Sequence, residues 1–258
     1  MGTFLYRGHE IFYSNEGTGE PIVFIHGMGG NSINWLNQRM NFKRYYQVIA
    51  IDLPGHGKSE AAADLSYSDY HQVLHQLLKE LLQLEQVVIC GISMGGRVAL
   101  DFVHYYPEMV KAVVLADTFA GMEEADTARR KEIFDLIYEE DGGKKWVERV
   151  VEEMGFDPDS SIAKGFHKGI LQNQLDFIYR LFIQTLGYNQ RPFLSTISKP
   201  TLIIHGERDR FIPFSAAEEL HHTIRGSRLV VIPESGHLPN VEQPKVFNQE
   251  LQYFMDLI

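Results

Sequence analysis

A single cysteine, Cys90, in 258 residues leaves nothing to pair with, so no disulfide framework holds this chain together. It sits in an apolar, strand-like run, VVIC, where a buried structural thiol is expected rather than a reactive one. No apolar run approaches the roughly 20 residues that span a bilayer. The start, MGTFLYRGHEIFYSNEG, lacks the basic patch and long apolar stretch of a secretion signal, and Gly2 stands without an acylation context. Positive charge is also short. Lys and Arg number 24 against 34 Asp and Glu, a formal net charge of −10, which speaks against nucleic acid and anionic membrane as partners. Repeats, low-complexity tracts and long Pro/Gly/Ser linkers are missing too. The expectation is a soluble, cytoplasmic protein acting on a small molecule, with its oligomeric state left open.

What remains is an ordinary globular composition, 44% hydrophobic and 22% charged, in a chain long enough for one large domain with room for an inserted subdomain. Two short alternating runs, 3–6 and 10–14, flank Arg7-Gly8-His9 and predict an antiparallel hairpin. Compact runs follow at 22–26 (IVFIH), 48–52 (VIAID), 87–90 (VVIC), 112–117 (AVVLAD), 201–206 (TLIIHG) and 229–233 (LVVIP). Such continuous β-branched segments suit strands buried on both faces of a parallel sheet. Helical spacing is clearest over 68–84, through Val73, Leu74, Leu77, Leu78, Leu81 and Leu82, with Ser68 as N-cap. It returns over 244–258 through Val246, Phe247, Leu251, Phe254 and Leu257. Strands alternating with helices predict an α/β fold. From about 119 to 191 the alternation stops, and segments such as ARRKEIFDLIYEE and LDFIYRLFIQTL take over. The expected organisation is a core over 1–118 and 192–258, interrupted by a helical cap over 119–191. That cap would lie above the carboxyl edge of the sheet, where open α/β sheets bind ligands.

At 91–95 the chain reads Gly-Ile-Ser-Met-Gly, between VVIC and RVALDFVHYY. At a strand-to-helix junction this pattern puts Ser93 on a tight, strained turn with its hydroxyl above the sheet; Gly91, Gly95 and Gly96 remove Cβ atoms that would collide there. The plain alternative is a close packing turn. A serine hydroxyl needs a base. Of eleven histidines, His237 is favoured, because ESGHLPNVEQP forms a Gly- and Pro-bearing loop after the last strand run, whereas His71 and His75 lie on a helix flank. The base in turn needs an acid to hold its tautomer. Asp209, in IIHGERDRFIP, is favoured; its rival, Asp117 in VVLADTFAG, is more simply a turn or cap carboxylate. For a developing oxyanion, FIHGMGGN offers the Met28 amide and the residue after the serine offers the Met94 amide. A plain glycine turn is the alternative for that loop.

Taken in order, HGMGG, DLPGHGKS, GISMGG, GERDRFIP and SGHLPNVEQP make the sequence resemble the α/β-hydrolase superfamily. The resemblance implies an α/β-hydrolase fold with a mostly parallel eight-stranded sheet flanked by helices, a Ser93–His237–Asp209 catalytic triad, no cofactor, and a cap that controls substrate entry. Serine rather than aspartate at the nucleophile position separates the chain from haloalkane dehalogenases and epoxide hydrolases and implies an acyl-serine. DLPGHGKS, with Asp52, His56 and Ser59, is read as a structural loop. GISMGGRVAL also resembles the elbow of the menaquinone-pathway SHCHC synthases, where the arginine matching Arg97 contacts an acidic substrate, although Ile92 stands where those enzymes carry tyrosine. The competing role for Arg97 is structural pairing with a carboxylate. Arg129, Arg130, Arg149 and Arg180 in the cap could likewise read an anionic substrate, or face solvent.

The least committed reading is a serine carboxylesterase acting on a small or medium acyl ester through an acyl-enzyme. An SHCHC-synthase-like lyase, or a carbon–carbon or enol-lactone hydrolase on an anionic substrate, is the alternative. A non-catalytic small-molecule receptor is the alternative from another class. No metal is expected, because neither His71 with His75 nor His221 with His222 has an HExxH glutamate or a clear third ligand. Phe119, Met122, Phe134, Ile137, Trp146, Phe177 and Phe182 could line an apolar pocket or form the cap's own core.

Overall fold

The computed structural model describes residues 1–61, 64–171 and 173–258. Its strands are β1 (Gly2–Tyr6), β2 (His9–Glu16), β3 (Glu20–Ile25), β4 (Tyr46–Ile51), β5 (Val87–Ile92), β6 (Val110–Ala116), β7 (Thr201–Gly206) and β8 (Arg228–Ile232). They form one eight-stranded sheet in the order β1-β2-β4-β3-β5-β6-β7-β8. The β1–β2 hairpin and the β2–β4 pair are antiparallel; all other pairs are parallel. Every residue of β5 and β7 is buried, because helices cover both faces of the sheet and a both-sided strand must be apolar throughout.

Helices α1 (Leu36–Phe42), α2 (Tyr70–His75) and α3 (Met94–Tyr105) belong to the first half of the sheet, and α9 (Phe214–Thr223), α10 (Pro239–Glu242) and α11 (Pro244–Met255) to the second. Between β6 and β7 lie α4 (Glu124–Asp135), α5 (Gly142–Glu153), α6 (Ser161–Ile170), α7 (Leu175–Leu186) and the short α8 (Arg191–Leu194). This helical segment has an aromatic centre, in which Phe134 stacks on Phe182 at 3.7 Å and meets Trp146 at 5.4 Å. Among the described residues no helix is long and apolar enough to cross a membrane.

Two helical expectations are corrected. The helix read over 68–84 is capped two residues earlier, by a reciprocal box between Ser66 and Asp69; Ser68 only shares a hydrogen bond with the Ser66 hydroxyl. From Gln76 to Leu81 the helix widens to a π-type turn, which changes the angular step per residue and carries Leu81 off the buried face while Leu77 and Leu78 stay in it. At the far end, Phe247, Leu251 and Phe254 pack inward as the spacing requires, but α11 stops at Met255 and Leu257 is exposed beyond it.

The order of the strands positions the site. The chain leaves β3 for β4 on one side and later returns with β5 on the other, so a crevice opens between the carboxyl ends of β3 and β5. Register aligns those ends: Ile25 pairs with Gly91, Ile92 with Ala116, Ala116 with Ile204, and Gly206 with Ile232. The loops after β3, β5, β6, β7 and β8 therefore emerge at one edge.

Candidate active site

Ser93 occupies the turn between β5 and α3 with φ 54° and ψ −121°, a conformation that a side-chain-bearing residue keeps only when its surroundings enforce it. They do so here from two sides. The Ser93 N–H donates to the Ala116 carbonyl (2.9 Å), and the Thr118 hydroxyl donates to the Ser93 carbonyl (2.7 Å). A Cβ on Gly91 would overlap the Gly95 carbonyl, and one on Gly95 would overlap the Ile25 and His26 carbonyls, so α3 can start this close to the sheet only on glycine.

His237 lies on the loop between β8 and α10 and is 1% exposed. Its Nδ1–H donates to Asp209 Oδ2 at 2.7 Å, which leaves Nε2 as the unprotonated nitrogen of the neutral ring. Asp209 Oδ1 accepts from the Phe211 and Ile212 amides (2.8 and 3.0 Å). Burial alone would raise this carboxyl; the charge and hydrogen bond of His237, with the Ile212 amide and His205, outweigh it and hold Asp209 below its ordinary value. Ser93 and His237 share one cavity wall, although no hydrogen bond joins them among the described residues. The structure thus brings Ser93, His237 and Asp209 to one edge from three separate loops.

The loop carrying Met28 is shaped by a histidine. His26, fully buried, donates from Nδ1 to the Gly27 carbonyl (2.7 Å) and accepts the Leu53 amide on Nε2 (2.9 Å); burial drives its pKa down, so it stays neutral with this tautomer. The Gly30 amide also donates to the Gly27 carbonyl (3.0 Å). A trans peptide points its N–H opposite its C=O, so a Gly27 carbonyl held from behind turns the Met28 N–H the other way. Met94 is the first residue of α3, where helix N–H groups lack intrahelical partners. Both residues border the Ser93 cavities.

Asp52, read as part of a structural loop, accepts the Ser32 and Lys58 amides (2.7 and 2.9 Å), while the Ser59 hydroxyl donates to the Asp52 carbonyl (2.5 Å). His56, buried beside His26, is pushed down to about 3 by burial first and His26 second. Asp117 differs from its reading as a simple turn carboxylate: it is 1% exposed, has φ 40°, and lies beside Asp209 and His205, with the three ligand atoms within 4.8 Å of one another. That group fits a divalent cation poorly, because Asp209 is already committed to three donors.

Two small lobes, of about 40 and 30 Å3, meet at Ser93, Met28, Phe134 and Phe211. The first is apolar, walled by Trp146, Val150, Phe166 and Ile170, and shares Gly30, Asn34, Phe166, Ile170 and Leu238 with an open groove of about 480 Å3 between α6 and the segment 29–37 that leads into α1. The second ends at Arg97 and Arg130. Of the aromatic and aliphatic candidates, Phe119, Met122, Phe134, Trp146 and Phe182 line these lobes; Ile137 does not, and Phe177 packs against His56 instead.

The arginines separate sharply. Arg97, 1% exposed, forms no carboxylate pair among the described residues: it donates to Gln190 Oε1 (3.1 Å), the Thr185 carbonyl (3.0 Å) and the Tyr188 carbonyl, tying the end of α7 to α3. Arg129 and Arg149, both partly exposed, pair with the buried Glu153 carboxylate (2.5 and 2.7 Å), and Arg180 lies over the Phe177 ring. Arg130 alone of the four is buried, at 4%; it donates to the Phe211 carbonyl, and its Nε has no partner. Burial lowers its pKa to about 10. Sequence reading could nominate Arg130 but not single it out, since only packing distinguishes it from Arg129. Glu242 was missed: its carboxylate accepts the Gly236 and Leu238 amides (both 3.0 Å) and so braces the His237 loop from α10.

A family model described as "Alpha/beta hydrolase family" matches residues 22–250. A 2-hydroxy-6-oxo-6-(2'-aminophenyl)hexa-2,4-dienoic acid hydrolase of Metapseudomonas resinovorans is 28% identical over 250 residues, covering 93% of this chain and 85% of that protein. A 2-hydroxy-6-oxononadienedioate/2-hydroxy-6-oxononatrienedioate hydrolase of Klebsiella pneumoniae is 29% identical, covering 92% and 87%. Among solved structures, an esterase from Exiguobacterium antarcticum superimposes with a TM-score of 0.89 at 26% identity, over 99% of this chain and 100% of that one. A match over nearly the whole length, on a sheet whose order and edge loops are those described above, means that the chain belongs to the alpha/beta hydrolase family and is a hydrolase.

Proposed function

We propose that this hydrolase cleaves a small or medium carboxylic ester through an acyl-Ser93 intermediate. The observation that carries the reading is the convergence of the strained Ser93 turn with a His237 whose Nδ1–H is held by buried Asp209. His237 Nε2 takes the Ser93 proton as Oγ attacks the ester carbonyl, and the Met28 and Met94 amides receive the oxyanion. Collapse breaks the C–O bond, and the alcohol leaves with the proton from His237. Water, deprotonated by the same nitrogen, then releases the acid. The helical segment acts as a cap, because lobes of about 40 and 30 Å3 hold only a few waters and substrate must displace its walls to enter.

The test is p-nitrophenyl butyrate hydrolysis by wild type and Ser93→Ala. Turnover by wild type alone is expected. Equal turnover by purified Ser93→Ala removes the acyl-serine, and saturable binding without turnover in either protein favours a receptor.

One observation favours a second reading, hydrolysis of a substrate that also carries a carboxylate. Arg130 ends the second lobe with a buried charge and an unpartnered Nε, the condition a carboxylate would relieve. The relatives named as acting on dienoic acid and dienedioate substrates support this class. Arg97, held through one N–H on each guanidinium nitrogen by Gln190, Thr185 and Tyr188, also borders this lobe and adds its positive field there.

A further inference from the structure

Behind the Ser93 site stands a second buried carboxyl that the mechanism above does not use. Asp117 closes β6; its N–H donates to the Ile204 carbonyl (2.9 Å) and its Oδ1 accepts the Gly206 N–H (2.8 Å), at the root of the turn that carries Asp209. Its Oδ2 is buried and meets no donor. An Asp117 oxygen, an Asp209 oxygen and a His205 nitrogen lie within 4.8 Å of one another. Two carboxyls this close in a dry site share a proton, since both cannot ionise together. The donors decide which one holds it. Asp209 receives three N–H groups, from His237, Phe211 and Ile212, and each favours its anion; Asp117 receives one.

We propose that Asp117 is a positioning residue for this site, a neutral carboxylic acid whose Oδ2–H donates to Asp209 from behind and so fixes that carboxylate against His237. Burial first and the Asp209 charge second push Asp117 well above the usual carboxylate range, against the pull of the Gly206 amide. His205, from β7, lies with its Nδ1 3.5 Å from Asp117 Oδ1 but makes no hydrogen bond there, and burial lowers its pKa, so it stays neutral and does not take over the charge balance. Arg130 from α4 and Glu242 from α10 complete the charged surroundings of the pair, Arg130 acting on Asp209 and Glu242 on both carboxyls. The left-handed backbone at Asp117, φ 40°, is a conformation of the kind that persists where a side chain must be aimed.

The proposal rests on the Ser93 reading, and its test separates the two. An un-ionised Asp117 presents one acceptor, to Gly206, and one donor, to Asp209; asparagine presents the same pair, whereas leucine presents neither. Asp117→Asn is therefore expected to keep kcat within about threefold of wild type, while Asp117→Leu loses about tenfold or more in kcat with KM moved less than about twofold, the fold-change of one lost hydrogen bond. The readout that needs no activity is infrared. The wild-type minus Asp117→Asn difference spectrum at neutral pH should contain the carbonyl stretch of a protonated carboxylic acid. A carboxylate band in its place overturns the proposal, as does an Asp117→Asn enzyme as impaired as Asp117→Leu. If Asp117→Leu does not fold, the spectrum and the asparagine variant still decide. A protonated-acid band in a protein whose Ser93→Ala variant remains active would sink the serine mechanism and leave the carboxyl pair standing.

Discussion

Replacing Arg130 with methionine should make the protein more stable and less able to handle a carboxylate-bearing substrate. Arg130 is 4% exposed, its Nε is unpartnered, and among the described residues its guanidinium donates only to the Phe211 carbonyl. Burial is the largest cause of its lowered pKa, with the Arg129 and Arg97 charges adding and Asp209 and Asp126 opposing. A fall from 12.5 to about 10 corresponds to roughly 3 kcal/mol against the charged form, in full force at neutral pH because that lies below about 10. Methionine matches the stem and carries no charge. Against the relief stand the Phe211 hydrogen bond, about 1 kcal/mol, and the stacking of the cation over Phe211 and Phe119, about another 1 kcal/mol. The balance is a gain of about 1 kcal/mol, a rise in Tm of roughly 2–4 °C for a chain of this size. The paired assay is kcat/KM for two esters of one alcohol, one with a terminal carboxylate on the acyl chain and one without. Without the charge-assisted hydrogen bond from Arg130, the carboxylate-bearing ester should lose about 10- to 100-fold more than its neutral counterpart. A drop in Tm of several degrees would show that Arg130 is a structural cation satisfied by its surroundings. Equal losses on both esters would remove the carboxylate reading.

Two further outcomes follow from the same geometry. Gly91→Ala drives a Cβ into the Gly95 carbonyl, where only backbone can yield, so urea denaturation should show a loss of about 1–3 kcal/mol together with lost ester turnover; a variant as stable as wild type would mean that the turn has slack the structure does not show. Asp117 takes up a proton on folding wherever the unfolded chain would be ionised, because its folded pKa is raised. Its contribution is therefore fully present below the unfolded value of about 3.9 and is lost as pH rises. Asp117→Asn carries no such linkage, so its Tm relative to wild type should climb between about pH 4 and pH 8; a constant difference across that range would contradict a neutral Asp117.

The sequence by itself determined the elements that local chemistry controls. Runs such as VVIC and TLIIHG can only be strands buried on both faces, and Gly91, Gly95 and Gly96 around Ser93 mark a turn that no Cβ would survive. The strand count, the edge on which the loops gather and the nomination of Ser93, His237 and Asp209 followed from those runs and their loops together with the family resemblance. The limits of that reading are also local. Ser68 and Leu257 were misplaced because a cap or a helix end depends on which hydrogen bond forms, and both candidates sit within two residues of the right one. Tertiary structure alone decided the rest. Arg129 and Arg130 are adjacent and chemically identical, yet one keeps a partly exposed side chain that pairs with Glu153 and the other is sealed into a lobe beside Ser93. Arg97 was a candidate for a carboxylate partner or substrate, and packing gave it Gln190 and two carbonyls. Asp117 and Asp209 are far apart in the chain, and only the pairing of β6 with β7 makes them neighbours. Periodicity reports which face of an element is apolar; whether a charged group is desolvated, and beside what, depends on elements brought together from distant parts of the chain.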